Sequence, residues 1–583
     1  MNITKYISNL VKSVYKSIKR FPVTITLSTF FVIMMIIISE IRLTSSLSLI
    51  KDLNRAAMIL ALGIPISLCI KLFYEKKKTY KLWHLVCAFI VEALILIFYY
   101  FFLLKDLQMV SITRYIGVNL TFYLAFFYIP YFKDKENFEL YVIKVFGKLF
   151  TTIIYSIVLY LGVAAILATI DKLLGVKIPS NFYYYSFLIV AGIFAPTYFL
   201  GSLPIITEIF NKESYPNIFK ILVIYIIMPL ISVYTTILYI YFAKIIITRQ
   251  WPVGLVSHLV LWYSIISAAV LFFIYPIYKD KLFAKTFMTF FPKLILPLMM
   301  LMFFSIGIRV NAYGITENRY YVILLSLWVF GVMVYFAFTK KYKNIFLPIT
   351  LSVLVIISVL GGPLSSYSVS KYSQNKRLEK ILLRNNMLKD KNIEKNSSVS
   401  EKDKNEISRI VEYFNYNHSL KDIKYFPEDF KLEDMDKLLG FKYSNNLSPL
   451  AQEYFYFNVS QTGEPIDISA YNYMVDSRYL YGGMQSNAQF KIKYDSNSNI
   501  LKIYQDKEVL YTKDMKELGK NLVNKYGIRD KGEGINPKEM SSEDENSKVK
   551  VQIQMINIAG SKDSSTGEIK INALDFYILV KVK

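Results

Sequence analysis

Residues 82–104 have the sequence LWHLVCAFIVEALILIFYYFFLL, and Glu92 is the one carboxylate among them. About 20 predominantly apolar residues suffice for a helix that crosses the hydrocarbon core of a bilayer. Ten further apolar runs follow the same pattern, so the sequence predicts a polytopic α-helical membrane bundle of about eleven spans. The run at 293–308 is the shortest. The predicted spans are 23–41, 56–74, 82–104, 115–132, 150–170, 182–205, 218–243, 254–278, 293–308, 320–338 and 345–361.

Composition agrees with this class. Of 583 residues, 54% are hydrophobic and 19% are charged, whereas about a quarter of a soluble domain is charged. These values exclude a soluble enzyme, a disordered chain and a small secreted scaffold. The two cysteines lie in apolar runs and the three histidines are scattered. Because metal and haem sites need clustered ligands, we expect no metal and no cofactor.

The formal net charge of +24 raises nucleic acid as a partner. The excess lies in residues 1–370, however, and is typical of the positive-inside rule. With a cytoplasmic N-terminus, the segments on the inner side carry 23 Lys and Arg, and those on the outer side carry 11. The charge therefore predicts orientation in a membrane. It places everything after residue 370 outside the cell, and we expect no nucleic-acid partner.

Three regions are predicted: a basic amphipathic interfacial helix at 1–20, a transmembrane domain at 21–370 and an extracytoplasmic α+β domain at 371–583. A cleaved signal peptide is the alternative for the start of the chain. In the last region, helices are predicted at 377–387, 405–414, 433–439 and 514–526. Alternation predicts antiparallel hairpins of 453–460 with 466–476, 488–494 with 500–504, and 549–555 with 569–582. The Glu- and Lys-rich stretch 531–546 predicts a mobile loop.

Glu92 is a candidate intramembrane site. A charge within a span is costly, so an ionisable residue there is a functional hypothesis by default. Glu92 could carry a proton or bind a cation. The alternative is a neutral or hydrogen-bonded residue that holds two helices together.

A second group of candidates gathers on the predicted outer face. Basic, amide and hydroxyl side chains at helix ends could bind an anionic head group. The alternative is that the basic residues extend to lipid phosphates at the ends of the spans. This candidate outer-face site contains Lys244, Arg249, Arg309, Thr316, Glu317, Asn318 and Arg319.

Three blocks of sequence resemble a known family. They are Tyr313–Tyr321 (YGITENRYY), then Gly362–Ser366 (GPLSS) with Ser373, Gln374 and Arg377–Glu379, and Tyr239–Ile245 (YIYFAKI) leading to Trp251–Gly254 (WPVG). Each is similar to the bacterial membrane family catalogued as domain of unknown function 4153. The resemblance implies a multi-spanning protein of the bacterial cytoplasmic membrane with a trailing soluble part. It implies no activity.

Two functions remain open. The first is transport or flipping of a polar or lipid-linked envelope solute, with membrane lipids and an anionic lipid or solute as partners. The second is a non-catalytic envelope sensor or scaffold, whose outer α+β domain binds a ligand or partner. An enzyme ranks last, because the sequence contains no catalytic motif. No feature of the sequence identifies a partner protein.

Overall fold

The computed structural model describes residues 12 and 14–583, except 43–45, 78–80, 133–136, 206–209, 211–212, 214, 250–254, 340–341, 444–451, 461–464, 481–484, 487–489, 496–497, 507, 528–533 and 564–568. Most of the predicted interfacial helix at 1–20 lies outside the described residues, although 14–20 are helical. The chain forms two compact units. The helical unit contains Met1–Asp403 and Ile410–Lys442, and the strand unit contains Lys404–Arg409 and Tyr443–Lys583.

Ten helices in the described part of the helical unit are long and apolar enough to cross a membrane. They are α1 (Pro22–Ile41), α2 (Leu47–Lys76), α3 (Leu82–Leu103), α4 (Met109–Tyr131), α5 (Phe138–Leu173), α6 (Asn181–Ser202), α7 (Asn217–Thr248), α8 (Ser257–Asp280), α9 (Leu282–Tyr313) and α10 (Glu317–Phe338). Ten of the predicted spans are thereby confirmed. The run at 293–308 is part of α9, a helix of 32 residues, because the helix continues through polar residues that a hydropathy criterion leaves out.

The last predicted span corresponds to a shorter apolar helix, α11 (Phe346–Leu360), which has 15 residues. At 1.5 Å per residue, a helix of that length extends about 22 Å, less than the hydrocarbon core of a bilayer. Its connections at the two ends of the bundle therefore decide whether it runs from one end to the other.

One end of the helical unit is defined by Arg20 and is called the Arg20 end. Side-chain hydrogen bonds there join segments that the sequence assigns to the inner side. They are Arg20 Nη2 to Glu75 Oε2 (2.8 Å), Arg20 Nη1 to the Leu203 carbonyl (3.0 Å), Lys76 to the Pro130 carbonyl (3.0 Å), Tyr215 to the Phe273 carbonyl (3.1 Å) and Asn344 to Glu139 (2.6 Å).

The opposite end, called the Glu317 end, joins segments that the sequence assigns to the outer side. Its hydrogen bonds are Tyr185 to Glu40, Arg55 to the Leu104 carbonyl (2.7 Å), Tyr367 to the Val110 carbonyl (3.3 Å), Tyr320 to the Leu364 carbonyl (2.6 Å) and Gln374 to the Tyr313 carbonyl (3.1 Å). The contacts at the two ends thus sort the connecting segments into the same two sets as the charge pattern.

Helix α11 runs from one end to the other. Just before it begins, Asn344 bonds to Glu139 at the Arg20 end. Near its C-terminus, the Val359 carbonyl accepts a 3.5 Å hydrogen bond from Arg114, close to the start of α4. The side chain of Val359 also lies against the Gly117 backbone, 2.7 Å from where a Cβ would be. Helix α11 therefore packs antiparallel to α4 and delivers the chain to the Glu317 end.

The rest of the helical unit follows α11. Helix α12 (Ser366–Arg384) begins with the Ser365 hydroxyl capping the Ser368 amide, and a short hairpin of β1 (Leu388–Lys389) and β2 (Asn392–Ile393) follows. Helices α13 (Glu401–Asn417) and α14 (Met435–Leu439) come next. The helices predicted at 405–414 and 433–439 are confirmed within a few residues. Helix α12 begins eleven residues before the predicted start at 377, because its first turns are rich in serine.

The strand unit contains two antiparallel sheets and one helix, α15 (Lys516–Tyr526). Their strands are β3 (Gln452–Asn458), β4 (Tyr473–Asp476), β5 (Gln485–Ser486), β6 (Lys491–Asp495), β7 (Ile500–Gln505), β8 (Glu508–Asp514), β9 (Ser541–Glu545), β10 (Val549–Asp563) and β11 (Ile569–Val582). One sheet has the order β3-β10-β11-β4 with β9 also on β10, and the other has the order β5-β6-β7-β8. Alternating residues such as Val551, Ile553 and Ile578 form a separate hydrophobic core.

Two predictions for the strand unit are wrong. Strands β3 and β4 do not form a hairpin with each other, because β10 and β11 lie between them. The predicted loop at 531–546 contains strand β9, which pairs with β10. Its acidic residues are neutralised by partners on other strands: Lys513 lies 2.8 Å from Asp544, and Lys550 lies 2.6 Å from Glu543. The hairpins β6–β7 and β10–β11 are confirmed.

Candidate anion site at the Glu317 end

A small basic pocket lies where the start of α8, the end of α9 and the start of α10 meet. It encloses about 60 Å³ and is lined by Ser257, His258, Ile306, Arg309, Asn318, Arg319 and Val322. Two of its polar atoms, Ser257 Oγ and Arg309 Nε, are buried and have no hydrogen-bond partner among the described residues. A buried donor without a partner is costly, so these two atoms are candidates for binding a ligand.

The electrostatics of the basic pocket favour an anion over a cation. Within the described residues, no carboxylate lies within 4.0 Å of Arg309 or Arg319, while Arg309 and Arg377 both repel Arg319. Arg319 Nη1 is held by the carbonyls of Tyr313 (3.3 Å) and Gly314 (3.0 Å). The N-terminal ends of α8 and α10 add their partial positive charges. A phosphate group would meet guanidinium, amide and hydroxyl donors together.

The structure brings together three of the residues predicted for the outer face: Arg309, Asn318 and Arg319 all line the basic pocket. Lys244 and Arg249 do not line it. Both are exposed on or beside the last turn of α7, where Arg249 has a left-handed backbone with φ 53°.

The other two predicted outer-face residues lie at the start of α10. Thr316 occupies the N-cap position, but its side chain makes no capping hydrogen bond. Glu317 points into the protein and is buried.

Glu317 is held by two groups that the sequence alone did not connect with it. The Tyr413 hydroxyl lies 2.7 and 2.8 Å from its two carboxyl oxygens, and His418 Nε2 lies 2.7 Å from Oε1. Tyr413 and His418 are themselves 2.9 Å apart. Burial raises the pKa of the Tyr413 phenol, and the neighbouring Glu317 raises it further. The phenol therefore remains a hydrogen-bond donor, and this triad ties α13 to the start of α10.

The first two family-like blocks contact each other at this end. Gln374 Nε2 donates to the carbonyls of Tyr313 (3.1 Å) and Ile315 (3.0 Å), and the Ser373 hydroxyl accepts from the Ile315 amide (2.8 Å). The loop passes so close to α12 that a Cβ on Gly314 would lie 2.9 Å from Gln374 Nε2. Helix α12 thus holds the loop that presents Asn318 and Arg319.

A long apolar groove begins one helical turn away from the basic pocket. It has a volume of about 680 Å³ and is lined by parts of α4, α5, α8, α10 and α11. Trp262 lies one turn after His258 on α8, and Tyr321 lies one turn after Asn318 on α10. The groove extends to Phe138 and Leu347, near the Arg20 end. Its length and apolar lining are suited to an acyl or prenyl chain.

A larger polar cavity of about 550 Å³ also opens at the Glu317 end. Arg114, His418 and the Lys371–Asp422 ion pair line it, and Lys371 Nζ lies 3.0 Å from Asp422 Oδ1. Val359 lines both this polar cavity and the apolar groove. Polar and apolar spaces therefore adjoin at this end of the bundle.

Glu92 is buried on the face of α3 that packs against α2, and only 3% of the residue is exposed. Neither carboxyl oxygen has a hydrogen-bond partner in the described part of the chain. Oε1 lies 3.6 Å from where a Cβ of Gly63 would be. The backbone of Ser67 on α2 lies close enough to interact with the Glu92 carboxyl group, so both the functional and the structural interpretation of Glu92 stay open.

Comparison with known proteins identifies the chain's relatives. The profile of the family described as domain of unknown function (DUF4153) matches residues 24–396. An uncharacterized protein of Pasteurella multocida is 23% identical over 277 residues, and this chain spans about half of that relative's length, with 47% of each protein aligned. No solved structure matches the chain. Since the profile covers more than half of the residues, the chain belongs to the DUF4153 family.

Proposed function

We propose that this protein binds a phosphate-bearing, lipid-linked envelope solute at the Glu317 end and transports or flips it across the bacterial cytoplasmic membrane. The observation that carries the proposal is the basic pocket, where the donors Arg309 Nε and Ser257 Oγ are buried without partners in the part of the chain that the structure describes. The phosphate would bind there. The lipid chain would lie in the apolar groove, whose lining begins one turn away on the same two helices.

The proposal includes an orientation. The N-terminus would be cytoplasmic, and the Glu317 end and the strand unit would lie outside. The distribution of Lys and Arg supports this orientation. Single-cysteine variants test it in a background without Cys69 and Cys87. An impermeant maleimide should label Lys520→Cys on intact cells and should label Lys285→Cys only after lysis. Both side chains are exposed. The reverse pattern would overturn the orientation.

Ligand binding is tested with two matched double variants. Arg309→Gln with Arg319→Gln removes the cations of the pocket, and Lys244→Gln with Arg249→Gln removes two exposed cations of the same predicted face. Native mass spectrometry of the purified proteins should detect a phosphate-bearing lipid on wild type and on the second variant. A hydrogen bond to a charged group contributes about 1.5–3 kcal/mol. Each lost arginine contact should therefore weaken binding about tenfold to a hundredfold.

Equal loss of the lipid from both double variants would mean that the pocket does not select the ligand. Movement is measured separately in proteoliposomes. The probe is a fluorescent phosphate-bearing lipid placed in one leaflet, and the readout is the rate at which a quencher added on the other side reaches it. This rate should be high with wild type and much lower with the double variant of Arg309 and Arg319.

A second candidate function is an envelope sensor or scaffold. The observation that favours it is the strand unit, which has a hydrophobic core of its own and so could bind a partner independently. If the protein is a sensor or scaffold, the labelled lipid should not move between the leaflets of the proteoliposomes, whether or not a lipid binds at the basic pocket. Transport and sensing are therefore separated by the leaflet assay.

A further inference from the structure

Glu92 and Tyr99 form a line of unpartnered polar groups inside the bundle. Glu92, Leu96 and Tyr99 follow one another at helical spacing on the buried face of α3. The Tyr99 hydroxyl, like both oxygens of Glu92, is buried and has no hydrogen-bond partner among the described residues. Seven residues of helix separate the two by about 10 Å. Two such groups on one face are unusual, because buried polar atoms normally find partners.

The surroundings of Glu92 contain no compensating charge in the part of the chain that the structure describes. Leu27 from α1 and Gly63 from α2 pack around it. The Ser67 hydroxyl faces the Thr24 hydroxyl (2.9 Å) and donates to the Ile64 carbonyl (2.9 Å), so it is already engaged. The interaction of Ser67 with the Glu92 carboxyl group comes from the Ser67 backbone.

The titratable group that interacts with Glu92 from α2 is the thiol of Cys69. This thiol is neutral and donates to the Phe122 carbonyl at 3.2 Å. A carboxylate in such a setting would be uncompensated, so the side chain is stable there as the neutral acid.

Tyr99 lies between Glu92 and the polar cavity at the Glu317 end. It interacts electrostatically with Arg114, and Arg114 and Leu103 both line that cavity. The carbonyls of Tyr100 and Leu104, at the same end of α3, are bound by Arg55 (3.1 and 2.7 Å). Arg55 therefore fixes the end of α3, and this end of the helix lies between Tyr99 and the polar cavity.

We propose that Glu92 is a proton-binding site, which exchanges its proton with the polar cavity at the Glu317 end by way of Tyr99 and intervening water. The proton is taken up by the carboxylate and released from the carboxylic acid, with no other reactant. The site is separate from the basic pocket and goes beyond the proposed binding of a phosphate-bearing lipid. Its role would be to couple a proton to the movement of the solute.

The test uses the full-length protein in lipid nanodiscs and the apolar reagent dicyclohexylcarbodiimide, which modifies protonated carboxyls in apolar surroundings. Peptide mass spectrometry should find Glu92 labelled, and labelling should fall as the pH rises. Glu92→Gln should abolish the label and Glu92→Asp should retain it. Glu139→Gln is the matched control, because Glu139 is also buried but binds Asn344 at 2.6 Å; this variant should leave the labelling of Glu92 unchanged.

Infrared spectroscopy gives a second measurement that does not depend on the reagent. The protonated-carboxyl band of Glu92, identified by its loss in Glu92→Gln, should be present in wild type and in Glu139→Gln and should disappear as the pH rises. Tyr99→Phe should keep the band but slow its loss after a pH jump. An unlabelled Glu92, or a label and band that do not change with pH, would overturn the proposal. An unchanged rate in Tyr99→Phe would overturn the route. Neither measurement requires the lipid ligand, so failure here is distinct from failure of the proposed function.

Discussion

Replacing Gly314 by alanine tests whether the loop before α10 depends on its contact with α12. Gly314 has φ 67° and ψ −179°, a region that is essentially restricted to glycine. A Cβ there would lie 2.9 Å from Gln374 Nε2 and 3.2 Å from Ser373 Oγ. The substitution therefore strains the backbone and displaces the side chain that holds the loop.

The expected cost follows from these two effects. Backbone strain of this kind costs about 1–3 kcal/mol. The displaced Gln374 amide would lose its hydrogen bonds to the Tyr313 and Ile315 carbonyls, at about 1 kcal/mol each. We therefore expect the helical unit to be destabilised by about 3–5 kcal/mol in Gly314→Ala.

Gly307→Ala in α9, the helix that ends just before Gly314, is the matched control. Nothing lies within 4 Å of a Cβ at Gly307, and alanine is favoured over glycine in a helix by up to about 1 kcal/mol. Thermal unfolding of the purified proteins in one detergent should place Gly314→Ala well below wild type and Gly307→Ala at or above it. If the two variants unfold at the same temperature, the contact between this loop and α12 does not stabilise the protein.

Three other predictions concern helix packing, the folding of the strand unit and the effect of pH. Gly117→Ala should destabilise the bundle by about 1–3 kcal/mol, because its Cβ would lie 2.7 Å from Val359 Cγ1; Val359→Ala should relieve this, and thermal unfolding of the double variant should show less than additive loss. The fragment 443–583 should fold cooperatively by circular dichroism, because it contains its own core. Burial raises the pKa of Asp544, but hydrogen bonds from Lys513 and Tyr511 outweigh burial and hold this pKa below its ordinary value. The stability that Asp544→Asn removes should thus be largest at neutral pH and should vanish as the pH falls below about 4.

The spans could be predicted from the sequence because each depends on one local property, a long apolar run. The ends of the helices could not be predicted in the same way. Helix α9 begins at Leu282 and includes Lys285 and Lys293, since a helix continues through polar residues where it leaves the hydrocarbon. The short helix α11 is shown to run from end to end only by contacts at Asn344 and Val359, which are tertiary.

The candidate sites show the same division. Arg309, Asn318 and Arg319 could be found from the sequence because they are basic and polar residues at helix ends. The role of His418 could not, because the 100 residues between it and Glu317 contain no motif that pairs them. Lys244 and Arg249 satisfied the same pattern as Arg309, yet they are exposed away from the pocket. A charge at a span end identifies a face of the protein, and the packing of neighbouring helices selects the residues that can form a site there.

The stretch Gly314–Arg319 combines support and binding in six residues. Gly314 fits against α12, and Glu317 is buried against Tyr413 and His418, so substitutions there would disturb the fold together with any activity. Asn318 and Arg319 line the basic pocket, and Arg319 also binds the Tyr313 and Gly314 carbonyls of the loop. Family resemblance in this block therefore does not by itself indicate a binding site, because the loop must keep its shape whatever the pocket holds. If a variant of Arg319 loses ligand binding but unfolds at the wild-type temperature, Arg319 acts in binding the ligand and is not needed to support the loop.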